Sequence, residues 1–153
     1  MRRMLALLFV IAAVSPVLSP ALAEDRPAAA PGKVAITLLV VHATDAQTGV
    51  DPRLQSLATS FRYFKYAGYR LLATHTADVA SGADASFTIE GGRKVTVTLL
   101  SRDDARARVR VEMSNAEGKQ LDTTVSINRD GTFIVAGPKY KDGILMLPLQ
   151  AGY

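Results

Sequence analysis

The chain has 153 residues, a length that one hydrophobic core can organise, and it contains no cysteine, which excludes disulfides, thiolate metal sites and a lipid attached through cysteine. Its 18 Lys and Arg against 14 Asp and Glu give a formal net charge of +4. Arg2 and Arg3 stand in a removable leader; their loss lowers that value by two, to +2, too modest and too dispersed for a surface that must neutralise several phosphates of a nucleic acid.

Residues 1–23 read as a secretory signal. Arg2 and Arg3 are the charged start, an apolar run fills 4–14, and Ala21-Leu22-Ala23 is the small-residue cleavage site ahead of Glu24. Pro16 and Pro20 interrupt the run before it reaches the roughly 20 apolar residues of a spanning helix, so no transmembrane segment is expected after cleavage. The expected location is periplasmic or secreted, not lipid-anchored. Residues 24–32 (EDRPAAAPG) form a Pro- and Ala-rich flexible leader, and 33–153 a single β-rich domain.

Residues 33–42 (KVAITLLVVH) are a β-branched apolar run with little alternation, the pattern of a central strand covered on both faces. The period then changes. Asp51 caps a helix expected over 52–66 with Pro52 at its first position; Leu54, Leu57, Ala58, Phe61 and Phe64 form its apolar stripe and Gly68 its left-handed stop. Residues 69–79 alternate through Tyr69, Leu71, Ala73, His75, Ala77 and Val79 as a long strand.

Further strands are expected at 86–90, 94–101, 106–114, 121–128, 132–136 and 144–150. Gly91-Gly92, Asp103-Asp104, 115–118, Asp130-Gly131 and Asp142-Gly143 punctuate them. Within 106–113, Ala107, Val109, Val111 and Met113 share one face, and Arg106, Arg108, Arg110 and Glu112 the other. The expected fold is mainly β with one amphipathic helix: an antiparallel meander, curved or folded into a two-layer sandwich, with the helix on one face or end.

Chemistry-bearing patterns are sparse. His42 with Asp45 and His75 with Asp78 fall short of the three or more ligands of an ordinary metal site, and both histidines sit on buried or apolar strand positions, so neither metal nor cofactor is expected. The G-x-S-x-G turn of serine hydrolases is absent. Asp103-Asp104 is a hairpin turn, and Gly91-Gly92 lacks the following helix that presents N–H groups to a phosphate.

Two features suit binding. Arg106, Arg108 and Arg110 make a basic ridge, with Arg102 just before it, that could meet an acidic polysaccharide or lipid headgroups. Phe61, Tyr63, Phe64, Tyr66 and Tyr69 concentrate half of the Phe and Tyr residues within nine positions, and Tyr63, Tyr66 and Tyr69 are interleaved with Arg62, Lys65 and Arg70.

Two segments resemble families of the bacterial envelope. Residues 123–137 (TTVSINRDGTFIVAG) are similar to a strand, Asp-Gly turn and strand near the pore of secretins, with Pro138 where that family commonly has a second glycine. The tail through Leu145, Leu147, Leu149, Ala151 and Tyr153 resembles the closing strand of outer-membrane barrels, from which Pro148 and Gly152 depart. The resemblances imply envelope biology and transfer no functional residue. The function expected is that of an exported, non-catalytic binding or assembly module of the cell envelope that contacts a protein or polysaccharide. The alternatives are a small exported enzyme using His42 or His75 and an accessory of an outer-membrane secretion system.

Overall fold

The computed structural model describes residues 32–153, so segments 1–23 and 24–31 lie outside the described residues; of the expected leader only Gly32 is seen, in a turn with φ 76°. β1 (Lys33–Thr44) extends the expected first strand by two residues. Its even positions Val34, Ile36, Leu38 and Val40 enter one core, and Val41 and Ala43 enter another. That two-sided burial is why the run lacks alternation.

A two-residue strand, β2 (Gly49–Val50), leads into a 3-10 turn at Pro52–Leu57 and the short helix α1 (Ala58–Phe61). Asp51 is the expected cap: its Oδ1 accepts from the Arg53 N–H at 3.0 Å. The helix expected over 52–66 therefore ends early, at Phe61. Thr59, Phe61, Tyr63, Phe64 and Tyr66 are weak helix formers; the Phe61 carbonyl, which a longer helix would offer to the Lys65 N–H, accepts instead from the Phe64 N–H at 3.0 Å, and the Tyr69 hydroxyl lies 3.1 and 3.2 Å from the Phe61 and Phe64 carbonyl oxygens. Leu54, Leu57 and Phe61 still cover Val41, Ala43, Tyr69 and Met146 as one apolar cluster. Gly68 is not the left-handed stop expected of it. It opens the next strand, where a Cβ would run into the Gln47 carbonyl oxygen.

β3 (Gly68–Ala80) runs antiparallel to β1. The register passes from Val40 opposite Ala73 to Val41 opposite Leu71, which leaves Leu72 as the extra residue of a bulge. The alternation expected to lie on one face therefore switches sides: Tyr69 and Leu71 join the cluster under the helix, whereas Ala73, Ala77 and Val79 join the main core.

The remaining strands are β4 (Asp84–Ile89), β5 (Arg93–Arg102), β6 (Arg106–Asn115), β7 (Gly118–Asn128), β8 (Thr132–Tyr140) and β9 (Gly143–Gly152). They form a curled five-stranded sheet in the order β2-β3-β1-β9-β8 and an antiparallel four-stranded sheet in the order β4-β5-β6-β7. This is a β-sandwich with one short helical segment packed on an outer face. Between the sheets lie Val95, Val97, Leu99, Val109, Val111 and Met113 against Ile36, Leu38, Leu147 and Leu149, each fully buried. β6 keeps the expected division, with its arginines outside.

The Asp130-Gly131 segment corrects a sequence expectation. It is not a paired hairpin, because β7 and β8 belong to different sheets. The turn is a corner: the Arg129 N–H donates to the Ala105 carbonyl at 2.7 Å, and the Asp130 N–H, at φ 55°, donates to the Ala151 carbonyl at 2.8 Å. The strand-turn-strand similar to secretins is thus split between two layers. In the tail, Leu145, Leu147, Leu149 and Ala151 point into the core, whereas the closing strand of an outer-membrane barrel turns such residues toward lipid. No helix among the described residues is long and apolar enough to cross a membrane.

Candidate contact surface at the β8–β9 turn

The end of β1 gathers this region. Thr44 pairs with Gly68 on one side and Gly143 on the other, so the chain leaving α1 and the turn between β8 and β9 flank the same strand end. Between them lies an open depression of about 350 Å³ lined by Tyr66, Lys139, Lys141, Asp142, Gly143 and Ile144.

On the α1 side, Arg62, Tyr63, Lys65 and Arg70 are exposed, with Tyr63 at 88%. The Arg70 Nε donates to Gln47 Oε1 at 2.9 Å, and the Ala67 N–H donates to Asp45 Oδ1 at 3.0 Å, which ties down the chain on both sides of Gly68. Tyr66 is half-buried, with its ring at the margin of the helix-side cluster. Tyr69 does not belong to this surface. It is 3% exposed, its ring stacks on Phe61 at 4.3 Å, and burial raises its hydroxyl pKa above the ordinary tyrosine value.

The turn contributes residues that sequence reasoning missed. Lys139, Lys141 and Asp142 are exposed, and Lys141 Nζ stands 5.3 Å from the centre of the Tyr140 ring. Arg93 reaches the same ring at 5.9 Å and donates through Nη2 to the Lys139 carbonyl at 3.2 Å. The available signal was local: Lys139-Tyr140-Lys141 repeats, in three residues, the basic and aromatic mixture seen around Tyr63. Its nearness to Tyr66 follows only from strand pairing.

His42 lies behind the turn. Its Nε2 is 3.2 Å from Asp142 Oδ1, close enough for an ion pair but not aligned as a hydrogen bond, and Tyr140 meets its ring edge-on at 5.2 Å. His75 is elsewhere, opposite Leu38 on β1, with its ring stacked on Phe87 at 5.1 Å. Four residues of β1 separate these positions, about 13 Å of strand rise, so the two histidines do not converge. No group of three or more His, Asp or Glu able to hold a metal occurs among the described residues.

The arginine ridge is divided in its use. Arg110 donates through Nε and Nη2 to the two oxygens of Asp122 at 2.8 and 2.6 Å and reaches Glu112 at 3.4 Å, while Lys119 bonds both carboxylates. The hydrogen bonds from Arg110 and Lys119 hold the Asp122 carboxyl well below the ordinary range, and Asp122 in turn raises Arg110. Arg110 therefore serves the pairing of β6 with β7. Arg106 and Arg108 are exposed beside it, and neither makes an ion pair among the described residues.

Asp103 is a turn residue as expected: its Oδ1 accepts from the N–H groups of Ala105 and Arg106, both at 2.8 Å, which lowers its pKa. Tyr153 closes this opposite end. Its hydroxyl donates to the Asp103 carbonyl at 2.8 Å, and Arg102 and Arg129 each stand 5.2 Å from its ring centre. No protein-family model, curated protein or solved structure matches the chain.

Proposed function

We propose that the protein is an exported, non-catalytic binding or assembly module of the bacterial cell envelope. Its contact surface comprises Arg62, Tyr63, Lys65, Tyr66 and Arg70 together with the β8–β9 turn. The observation that carries this reading is Tyr63, a tyrosine 88% exposed between two exposed cations and three positions from the ring that lines the depression. Single exposed apolar groups are ordinary on a surface; a tyrosine and arginine cluster beside a concavity is the composition enriched at interfaces. Tyrosine adds contact area with little conformational entropy to lose, and its hydroxyl tolerates water before the partner arrives. The export reading rests on residues 1–23.

The test is fractionation of the native host with and without detergent, followed by capture and mass spectrometry of what remains attached. One reproducible envelope protein or polysaccharide is expected with the protein in the detergent-free fraction, and it should be lost when Arg62, Tyr63 and Lys65 are replaced together by Ser. Extraction by detergent alone, or a partner retained in full by that variant, overturns the reading.

A further inference from the structure

The lining of the depression specifies more than a surface. Lys139 and Lys141 bring two exposed cations to it, Lys141 with its ammonium 5.3 Å from the Tyr140 ring; Asp142 adds a half-exposed carboxylate whose Oδ1 faces His42 and whose other oxygen is left to accept; and Tyr66 and Ile144 add apolar surface. A bare anion satisfies the lysines but is repelled by Asp142. A neutral sugar can bond Asp142 and rest on the Tyr66 ring, but leaves both lysines unused. A hydroxylated ring that also carries a negative group answers every part of the lining.

Size and shape point the same way. About 350 Å³ lies near the lower limit of pockets that enclose small ligands, and this depression is open to solvent, so it suits one residue of a chain lying across the surface.

Lys141 supplies an independent observation. It is the first of two residues between Tyr140 and Gly143, which pair with each other, and it holds φ 50°. Glycine, asparagine and aspartate are favoured at such a position, and a lysine there carries backbone strain. Strained residues gather at ligand sites, where the side chain rather than the backbone sets the choice.

We propose that the depression is an acidic-sugar subsite. Lys139 and Lys141 hold the carboxylate or phosphate of one residue in an anionic glycan chain, Asp142 accepts from its hydroxyls, and the Tyr66 ring receives its apolar face. The inference rests on the contact-surface reading above and names its ligand class.

The protein purified from its exporting host is assayed by affinity electrophoresis against polygalacturonate, a phosphomannan, neutral dextran, poly-glutamate and inorganic phosphate. Retardation by at least one of the two acidic glycans is expected, roughly tenfold weaker at high salt, with dextran inactive and with poly-glutamate and phosphate far weaker. The carboxylate and phosphate arms identify the acid. Lys139→Gln and Lys141→Gly should each reduce the retardation about fivefold, and Lys94→Gln, on the other sheet, should not.

Lys141→Gly should also raise the melting temperature by about 2 °C, because glycine relieves the left-handed strain. A merely structural lysine would lose binding and stability together. Equal retardation by dextran, equal or tighter binding of poly-glutamate or phosphate, or no retardation by either acidic glycan overturns the inference. Continued capture of an envelope protein through Tyr63 in that last case leaves the contact-surface reading standing.

Discussion

The two ends of β9 each place a tyrosine between two cations, and they spend that arrangement differently. At the Tyr153 end, Arg102 and Arg129 lie 5.2 Å from the ring, the hydroxyl is committed to the Asp103 carbonyl, and Arg129 Nε donates to the Tyr153 carbonyl. At the Tyr140 end, Arg93 and Lys141 flank the ring, but Lys141, Lys139 and Asp142 remain exposed around a depression. Basic and aromatic composition alone therefore does not mark a site. What separates the ends is that the Tyr153 hydroxyl and Arg129 are hydrogen-bonded within the fold, whereas Lys139 and Lys141 make no side-chain hydrogen bond among the described residues; Arg110, bonded to Asp122 on β6, is of the first kind.

That contrast can be broken by substitution. The largest effect is expected beneath the open end, where Phe61→Ala removes a buried ring stacked on Tyr69 and should cost about 3–5 kcal/mol in chemical denaturation. Tyr69→Phe keeps that packing and loses only the hydroxyl bonds to the carbonyls of Phe61 and Phe64, so a cost of about 1–2 kcal/mol is expected from the same measurement.

The Asp51 carboxyl is held well below its ordinary value of 3.8 by hydrogen bonds from the Arg53 side chain and backbone, with the Leu71 N–H adding to them. A depressed carboxyl stabilises fully above its unfolded pKa and loses that contribution as pH falls through the folded value, so stability should drop below about pH 4. Asp51→Asn should lower the melting temperature at pH 7 and flatten its decline under acid; an unchanged acid limb would show that this contact does not govern it.

How far the sequence foresaw this structure depended on the range of the interaction. The alternation of 106–113 survives because β6 itself takes no extra residue there, the irregularities of its pairings falling on Leu100 of β5 and Gln120 of β7, so period alone decides which of its side chains are buried. The helix is shorter than its apolar stripe implies because the aromatic-rich second half holds weak helix formers and the Phe61 carbonyl closes a tighter turn onto the Phe64 N–H; Asp130-Gly131 is no hairpin because a turn code cannot say whether its strands share a sheet. Half of the candidate surface, Arg62 to Arg70, was visible as local enrichment. Tyr69 stands apart from it because its ring is stacked on Phe61 beneath the helix, a packing that local enrichment in cations and aromatics does not reveal, and Lys139 and Lys141 reach Tyr66 only through the pairing of Thr44 with both Gly68 and Gly143.

Smaller effects separate the two ends directly. Tyr153→Phe should destabilise by under about 1 kcal/mol and leave partner capture intact, because the lost hydroxyl bond is internal to the fold. Tyr63→Ser should leave stability within about 0.5 kcal/mol of the parent, since its ring is almost wholly in solvent, and should still weaken partner capture.

The most direct test places a photo-activatable residue at position 63, beside the open end, and separately at position 104, exposed beside the closed end, in the native host. One reproducible adduct is expected from position 63 and none from position 104. The same adducts from both positions, or adducts from position 104 alone, would contradict the contact-surface reading.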